Sequence, residues 1–295
     1  FRRRVQDHLQ AFGHTFYSLD FGDAVPADDP APVLDALRLY LRGQACGDPR
    51  ARQRASEERR QEATAAVQAR LRGWRRRLFD TYLARAQRYA PLREDGLAEV
   101  GLAYPLIRRM LRQVGRRFAE SGLIPTPDDI YWLTEDEVRS AAAALDAGRP
   151  AETLTARLPK RKAERAAARL VSPPRALPAI GRRAAPRQAP GRAGQVIKGV
   201  AGSPGRVTAV ARVLHGPHEF DQMTPGDVLV APITTPAWTP LFAMAAAVVT
   251  DIGGPLSHGS IVAREYGIPA VMGVGVATRR IQNGQTITVD GSAGE

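Results

Sequence analysis

A single stretch rich in proline, arginine, alanine and glycine divides this chain into two parts of different character. It covers residues 171–194 and reads "VSPPRALPAIGRRAAPRQAPGRAG", with almost no apolar periodicity. Proline-rich sequence of this kind forms semi-extended arms and not a packed core. We therefore predict a hinge linker over 171–194, which joins a domain over 1–170 to a second domain over 195–295 and allows that second domain to move.

The part before the linker is predicted to be all-helical, because apolar residues recur there at spacings of three and four. A strong helix is expected to begin near Tyr104 and to end at Ser121-Gly122. Thr134, followed three residues later by Glu137, predicts a capping box at the start of another helix.

The part after the linker changes to short β-rich runs punctuated by glycine and proline. Strands are predicted in "VIKGVAGSPGRVTAVARVL", "GDVLVAP", "AAAVVTD", "PAVMGV" and "QTITVDG". Helices are expected over Trp238–Met244 and Ser257–Tyr266, the second of which is stopped by Gly267. The predicted fold class is therefore an all-helical domain followed by a compact α/β domain.

Composition excludes several classes of protein. The chain is 44% hydrophobic, yet no apolar run approaches the roughly 18 residues that a transmembrane helix needs. A single cysteine, Cys46, excludes a disulfide framework and a cysteine-rich metal site. The net charge of +12 comes almost entirely from arginines interleaved with acidic residues, without a zinc-finger, helix-turn-helix or stacked-aromatic pattern. We expect a cytoplasmic protein with no nucleic-acid or membrane partner and no bound metal of its own.

One histidine stands in a context suited to chemistry, in the stretch "TDIGGPLSHGSIVAREYGIPAVMG" from Thr250 to Gly273. Ser257 is a natural N-cap, which places His258 in the first helical turn, where backbone amides and the helix dipole attract an anion. Gly253 and Gly254 allow a backbone to approach a phosphate closely. The dipole also disfavours the imidazolium form. The pattern predicts covalent catalysis in which His258 accepts a phosphoryl group.

The other histidines lack this context and are interpreted as capping or packing residues: His8, His14, His215 and His218. A zinc site on His215 and His218 has too few ligands in the neighbouring sequence. A serine hydrolase is disfavoured because the nucleophile pattern Gly-x-Ser-x-Gly is absent.

The quoted stretch, followed by "TVDG" near the end, resembles the swivelling phosphohistidine domain of the phosphoenolpyruvate synthase and pyruvate phosphate dikinase superfamily. The resemblance extends from about Gly199 to Glu295. It implies that His258 is phosphorylated during the reaction. It also implies a supporting role around the phosphoryl group for a set of matching residues: Thr250, Gly253, Gly254, Ser257 and Arg264.

Within that superfamily the chain is most similar to the rifampicin phosphotransferase branch. "TTPAWTPLF" over Thr234–Phe242, the Ser-His pair and the helical half all carry this similarity, as does the order of helical domain, linker and histidine domain. The resemblance places His14 and Thr235 among candidate substrate-binding residues. Gly13-His14-Thr15 departs from the family's Gly-His-Arg, which puts the antibiotic substrate in doubt.

The resemblance implies a phosphotransferase of the dikinase type. ATP and Mg²⁺ would be bound by an ATP-grasp domain that is not in this sequence, located upstream in the same chain or on a separate subunit. His258 would keep the β-phosphoryl group and carry it to a hydroxyl of a small molecule in the helical domain, with AMP and phosphate released. A rifamycin-like antibiotic, and hence antibiotic resistance, or another natural product would be the acceptor.

Two alternatives stay open at the level of sequence. The chain could be part of a phosphoenolpyruvate synthase-like dikinase or of a phosphorylation-driven dehydratase. It could also be a phosphocarrier module without a substrate pocket of its own. Neither the acceptor nor its general base is identified by any residue pattern.

Overall fold

The structure, a computed structural model, describes residues 1–18, 20–41, 49–169 and 195–295. Within these ranges the chain forms ten α-helices and a six-stranded sheet. The predicted linker over 171–194 lies outside the described residues, as does Cys46. The domain boundaries drawn through that linker therefore stay a prediction.

Seven helices precede residue 170: α1 (Arg2–Phe12), α2 (Ala31–Leu41), α3 (Pro49–Arg70), α4 (Trp74–Glu99), α5 (Tyr104–Glu120), α6 (Glu135–Asp146) and α7 (Leu158–Arg169). The strands are β1 (Val200–Ser203), β2 (Arg206–Val213), β3 (Val228–Ala231), β4 (Ala247–Thr250), β5 (Ala270–Met272) and β6 (Thr286–Asp290). Three short helices lie among them: α8 (Thr239–Phe242), α9 (His258–Tyr266) and α10 (Ala277–Arg280). None of the helices in the described ranges has the length and hydropathy to cross a bilayer.

The sheet has a parallel centre and antiparallel edges. Its strand order is β1-β5-β4-β3-β2-β6, in which β2, β3, β4 and β5 pair in parallel and the two outer pairings are antiparallel. Every residue of β3, β4 and β5 is buried. Central parallel strands are covered on both faces, which explains why these strands read as continuous apolar runs.

Two apolar clusters cover the two faces of this sheet. One is built around Leu229, Val248 and Met272 and includes Trp238 and Phe242 from the segment between β3 and β4. The other is built from the alternate residues of the same strands, such as Val228, Val230 and Val249. The first cluster also contains Tyr17, so the N-terminal segment contributes to the core of the sheet.

The chain divides into two compact units. The first comprises Phe1–Leu19, Ala24–Leu102 and Ala189–Glu295, and thus contains α1–α4 together with the sheet. The second comprises Asp20–Asp23 and Ala103–Gln188. Its core is formed where α5 and α6 meet the turns that follow them, by Phe118, Leu123, Ile124, Ile130, Ala141 and Leu154.

The predicted fold class is confirmed: a helical N-terminal region precedes an α/β sheet domain. The capping box of Thr134 and Glu137 is present, and all predicted strands are found. The helix expected over Trp238–Met244 is instead a 3₁₀ turn, Pro236–Trp238, followed by the four-residue α8. Pro236 and Pro240 cannot donate backbone hydrogen bonds, so each is tolerated only at the start of a helical segment.

Candidate functional site

His258 is the first residue of α9. Ser257 precedes it in extended conformation, and the helix ends at Gly267, whose φ of 66° is the left-handed conformation that glycine adopts most readily. The imidazole is only 5% exposed. His258 therefore stands at the N-terminus of α9, a few residues after the glycine turn, as the sequence predicts.

The two ring nitrogens of His258 face different partners. Nδ1 lies 2.8 Å from Oε2 of Glu94 on α4. Nε2 lies 3.5 Å from Oγ1 of Thr239, the first residue of α8, which is the outer limit of a hydrogen bond. A carboxylate only accepts, so the short contact assigns the ring proton to Nδ1 and the lone pair to Nε2. Nε2 is therefore the nucleophilic nitrogen of this arrangement.

Glu94 is held as a carboxylate by the groups around it. Its hydrogen bond with His258 lowers the pKa of Glu94, and the positive charge and hydrogen bond of Arg93 lower it further. Arg93 reaches the other carboxylate oxygen, Oε1, at 2.6 Å. Glu265 on α9 is affected in the opposite direction: desolvation of its carboxyl group and the negative charge of Glu94 raise the pKa of Glu265. Two carboxyl groups that interact with the imidazole thus have pKa values shifted in opposite directions.

The glycine turn before α9 has one position that requires glycine. Gly253 has a φ of 150°, and a Cβ there would lie 3.0 Å from Ser257 Oγ and 3.2 Å from Thr250 Oγ1. A Cβ on Gly254 would meet nothing within 4 Å. The carbonyl of Gly254 accepts hydrogen bonds from the hydroxyls of Ser257 and Ser260 at 2.8 and 2.7 Å. The absence of a side chain at Gly253 thus lets the backbone pass close to the hydroxyls of Ser257 and Thr250. The Gly254 carbonyl joins the turn to α9 through its two hydrogen bonds.

The hydroxyl groups predicted to support a phosphoryl group are engaged within the turn. Thr250 is 1% exposed, and its Oγ1 donates to the carbonyl of Ile252 at 3.0 Å. Ser257 occupies the N-cap position but makes no side-chain cap hydrogen bond; its hydroxyl donates to the carbonyl of Gly254. These side chains therefore shape the turn, while Ser257 leaves the first amides of α9 uncapped.

Arg264, on the last turn of α9, is bonded to two backbone carbonyls. One terminal nitrogen donates to Gly202 in β1 at 2.6 Å, and the other donates to Pro255 in the glycine turn at 2.8 Å. The planar guanidinium suits such a two-pronged contact. In this arrangement Arg264 ties β1, the turn and α9 together.

The two predicted substrate-binding residues lie near the junction of the N-terminal segment and the sheet. Thr235 is 5% exposed, and its Oγ1 donates to the carbonyl of Phe16 at 2.5 Å. His14 is half-buried and lies two residues before Phe16 in the same segment. His215 Nδ1 lies 4.0 Å from Glu219 Oε2, and His218 Nε2 lies 3.6 Å from Glu219 Oε1. In the described part of the chain, no three His, Cys, Asp or Glu side chains are grouped to hold a metal ion.

Sequence reasoning missed Glu94 and Thr239, the two partners of the ring. Thr239 is within the quoted segment Thr234–Phe242, yet nothing in that segment singles out its hydroxyl. Glu94 lies 164 residues before His258, among many arginine and glutamate residues on helices. The only available signal was a charged cluster, Arg93-Glu94-Asp95, just after a proline within a helix.

Comparison with family models gives two matches at opposite ends of the chain. Residues 223–294 match the mobile domain of PEP-utilising enzymes, which spans β3 to β6 and contains His258. Residues 1–94 match the fourth domain of rifampicin phosphotransferase, and this range ends at Glu94. Glu94 and His258, which form the 2.8 Å contact, thus lie in the two different matched ranges.

Curated relatives agree with these models. The chain is 32% identical over 303 residues to the uncharacterized phosphotransferase YvkC of Bacillus subtilis (strain 168), covering 100% of this chain and 36% of that protein. It is 33% identical over 266 residues to rifampicin phosphotransferase of Streptomyces sviceus, covering 89% of this chain and 30% of the relative. A probable phosphoenolpyruvate synthase of Staphylothermus marinus is 48% identical over 101 residues, covering 34% of this chain and 12% of the relative.

The chain therefore spans about a third or less of the length of these relatives. Family models match both ends of the chain, and the alignment to a rifampicin phosphotransferase, at 33% identity, covers 89% of the chain. Both findings agree with the resemblance carried by the motif around His258. The chain belongs to the superfamily of PEP-utilising phosphotransferases, in its rifampicin phosphotransferase-like branch.

Proposed function

We propose that this chain supplies the phosphohistidine carrier and the acceptor station of a dikinase-type phosphotransferase. ATP and Mg²⁺, bound by an ATP-grasp domain outside this sequence, supply the β-phosphoryl group. His258 receives that group and passes it to a hydroxyl of a small molecule, and AMP and phosphate are released. The observation that carries the proposal is the placement of His258 at the start of α9, with Nδ1 bonded to Glu94 and Nε2 as the nucleophile.

The residues of this chain suit such a carrier. The lone pair on Nε2 forms the N–P bond, while Nδ1 keeps its proton through Glu94. The uncapped amides at the start of α9 and the positive end of its dipole favour the negative charge of the phosphoryl oxygens. Phe242 packs edge-on to the imidazole with ring centroids 6.2 Å apart, which places an apolar ring beside it.

Loading requires a different arrangement of the ring from the one described. A side chain that is 5% exposed cannot meet a donor bound on another domain. We infer that α9 separates from α4 for loading and returns to it for transfer. A hinge in the predicted linker over 171–194 would permit that movement, and movement between stations gives one histidine the proximity advantage at both.

The acceptor is proposed to be a hydroxyl-bearing natural product of the rifamycin type. The similarity to rifampicin phosphotransferase across most of the chain supports this choice. His14 and Thr235 remain candidates for substrate contacts. A role in a phosphoenolpyruvate synthase-like dikinase is the second candidate, supported by the 48% identity to a probable phosphoenolpyruvate synthase, which is confined to a third of the chain.

The experiment is transfer by the full-length protein that contains this chain, supplied with ATP and Mg²⁺. Rifampicin and a panel of other hydroxyl-bearing natural products are screened by mass spectrometry, and pyruvate is assayed in parallel. A phosphorylated natural product that is absent from a His258→Ala control supports the proposal. Formation of phosphoenolpyruvate instead supports the second candidate. ATP turnover that is unchanged in His258→Ala contradicts both.

A further inference from the structure

We propose that Glu94 is a positioning residue that keeps a proton on Nδ1 of the phosphorylated His258, so that the ring leaves as neutral imidazole when the phosphoryl group is transferred. This inference rests on the proposed function, and it assigns a task to a residue outside the phosphohistidine motif. Its basis is the 2.8 Å contact between Glu94 Oε2 and His258 Nδ1.

The contact has the geometry of a built interaction and not of a chance surface pair. The side chain of His258 is 5% exposed and that of Glu94 is 25% exposed, so water screens the pair weakly. The two oxygens of Glu94 have separate tasks, because Oε1 accepts from Arg93 at 2.6 Å and Oε2 faces the ring. Arg93 thus binds one carboxylate oxygen and leaves the second oxygen to contact Nδ1.

The chemistry of the leaving group explains why this proton matters. In transfer, the bond between phosphorus and Nε2 breaks and its electron pair returns to Nε2. A bond forms between phosphorus and the acceptor oxygen, and the acceptor's hydroxyl proton goes to water. If Nδ1 carries a proton throughout, the departing group is neutral imidazole. If Nδ1 is bare, the departing group is imidazolate, a far poorer leaving group.

The charges that face the ring act in both directions. The carboxylate of Glu94 on α4 stabilises the protonated, cationic phosphorylated ring. Arg93 on α4 opposes it, although its charge is partly neutralised by bonding to the same carboxylate. Glu265 on α9 is also close enough to interact with Glu94 and His258. Thr239 on α8 adds a hydroxyl on the Nε2 side and no charge. Glu94 is the charged group that contacts Nδ1 directly.

The location of Glu94 restricts the effect to one station. The separation of α9 from α4 proposed for loading would break the contact between Glu94 and His258. The phosphohistidine would then transfer its phosphoryl group slowly while the two helices are apart and rapidly while Glu94 contacts Nδ1. Such a difference would protect the intermediate from loss to water during the movement between stations.

The test uses the full chain, phosphorylated with potassium phosphoramidate, which needs no ATP-grasp domain. Loss of phosphate from His258 is followed by ³¹P NMR from pH 5 to 9, with His258→Ala as background. In Glu94→Gln the amide oxygen still accepts from Nδ1 but the charge is lost. The rate of phosphate loss should decrease as the pH rises, and in Glu94→Gln this decrease should occur about one pH unit lower than in the parent. At pH 8, Glu94→Gln should therefore lose phosphate roughly tenfold more slowly than the parent.

Two further variants separate this effect from a structural one. Glu94→Asp keeps the charge and should restore most of the lability near pH 8. Glu99→Gln makes the same charge change on an exposed residue of α4 and should match the parent. Equal pH profiles for Glu94→Gln and the parent would overturn this inference and leave the proposed function intact. So would a normally folded Glu94→Asp protein that loses phosphate at pH 8 as slowly as Glu94→Gln. Failure of His258 to accept a phosphoryl group at all overturns the proposed function, and this inference with it.

Discussion

The indole Nε1 of Trp238 donates a hydrogen bond to the backbone carbonyl of Tyr17 at 3.2 Å. Together with the bond from Thr235 to Phe16, it anchors the N-terminal segment to the segment that precedes α8. Tyr17, which lies in the range matched by the rifampicin phosphotransferase model, is thus part of the apolar core of the sheet. The movement proposed for loading must therefore break these two hydrogen bonds as well as the contact between Glu94 and His258.

Trp238→Phe should loosen this anchor. The substitution keeps most of the apolar packing but removes the N–H donor and leaves a buried carbonyl unpaired, which costs about 1–3 kcal/mol. We expect faster amide hydrogen exchange in the N-terminal segment around Tyr17. Trp74→Phe is the matched control, since Trp74 is 69% exposed. Equal exchange in the two variants would show that the indole bond does not hold the segment.

Gly253→Ala and Gly254→Ala form a pair of adjacent substitutions with different expected outcomes. A Cβ at 253 meets two side-chain oxygens at 3.0 and 3.2 Å, with φ at 150°, whereas a Cβ at 254 has open space. Backbone strain of this kind costs about 1–3 kcal/mol. Thermal unfolding should show a lowered midpoint for Gly253→Ala and little change for Gly254→Ala. The reverse order would mean that the turn is shaped differently.

Arg264→Ala should destabilise the turn by removing two hydrogen bonds to backbone carbonyls. One bond is part-buried and the other is exposed, so we expect a loss of about 1 kcal/mol in the free energy of unfolding. Urea denaturation of the parent and the variant measures it. Arg139→Ala serves as the control, because Arg139 is 76% exposed and pairs only with the exposed Glu135. If Arg264 served only to hold a phosphoryl group, both variants would unfold like the parent.

Glu137 gives a prediction about pH. Hydrogen bonds from Arg161, and then from the Thr134 amide and Arg157, hold the pKa of this carboxylate far below its usual value. A depressed folded-state pKa contributes stability above the unfolded pKa of about 4.3, and this contribution is lost as pH falls toward the folded-state value. Glu137→Gln should therefore unfold more easily at pH 7 and lose less stability below pH 5 than the parent.

The control for this pH dependence is Glu135→Gln, two residues away in the same helix. Glu135 is 75% exposed in its pair with Arg139, so its removal should leave the acid limb of the stability curve unchanged. Urea denaturation across pH 3–7 compares the three proteins. Parallel curves for the parent and Glu137→Gln would contradict the role assigned to the Arg161 contact.

Much of the local structure follows from the sequence, and most of the long-range contacts do not. The strands after residue 195, the helix that starts at His258 and the capping box at Thr134 are encoded by nearby residues, through periodicity, glycine turns and side-chain caps. Glu94 and His258 lie 164 residues apart in the chain, and their contact depends on how α4 is placed beside α9. One sequence without an alignment carries no signal for such packing.

The roles expected for Ser257 and Arg264 show the same limit. Both residues were expected to lie around the phosphoryl group. In the structure the Ser257 hydroxyl donates to the Gly254 carbonyl, and Arg264 donates to the carbonyls of Gly202 and Pro255. Residue type and spacing indicate which groups are near a site. Which of several available acceptors each donor takes is decided by distances of a few tenths of an ångström, which spacing does not specify.

Every functional role proposed above depends on the imidazole of His258 carrying the phosphoryl group. Peptide mapping by mass spectrometry under neutral to alkaline conditions, after exposure of the full-length protein to ATP and Mg²⁺, tests it most directly. We expect an adduct of about 80 Da on the peptide that contains His258. In His258→Ala, both this adduct and the release of AMP should be lost. An adduct on another residue, or AMP release that persists unchanged in His258→Ala, would contradict it.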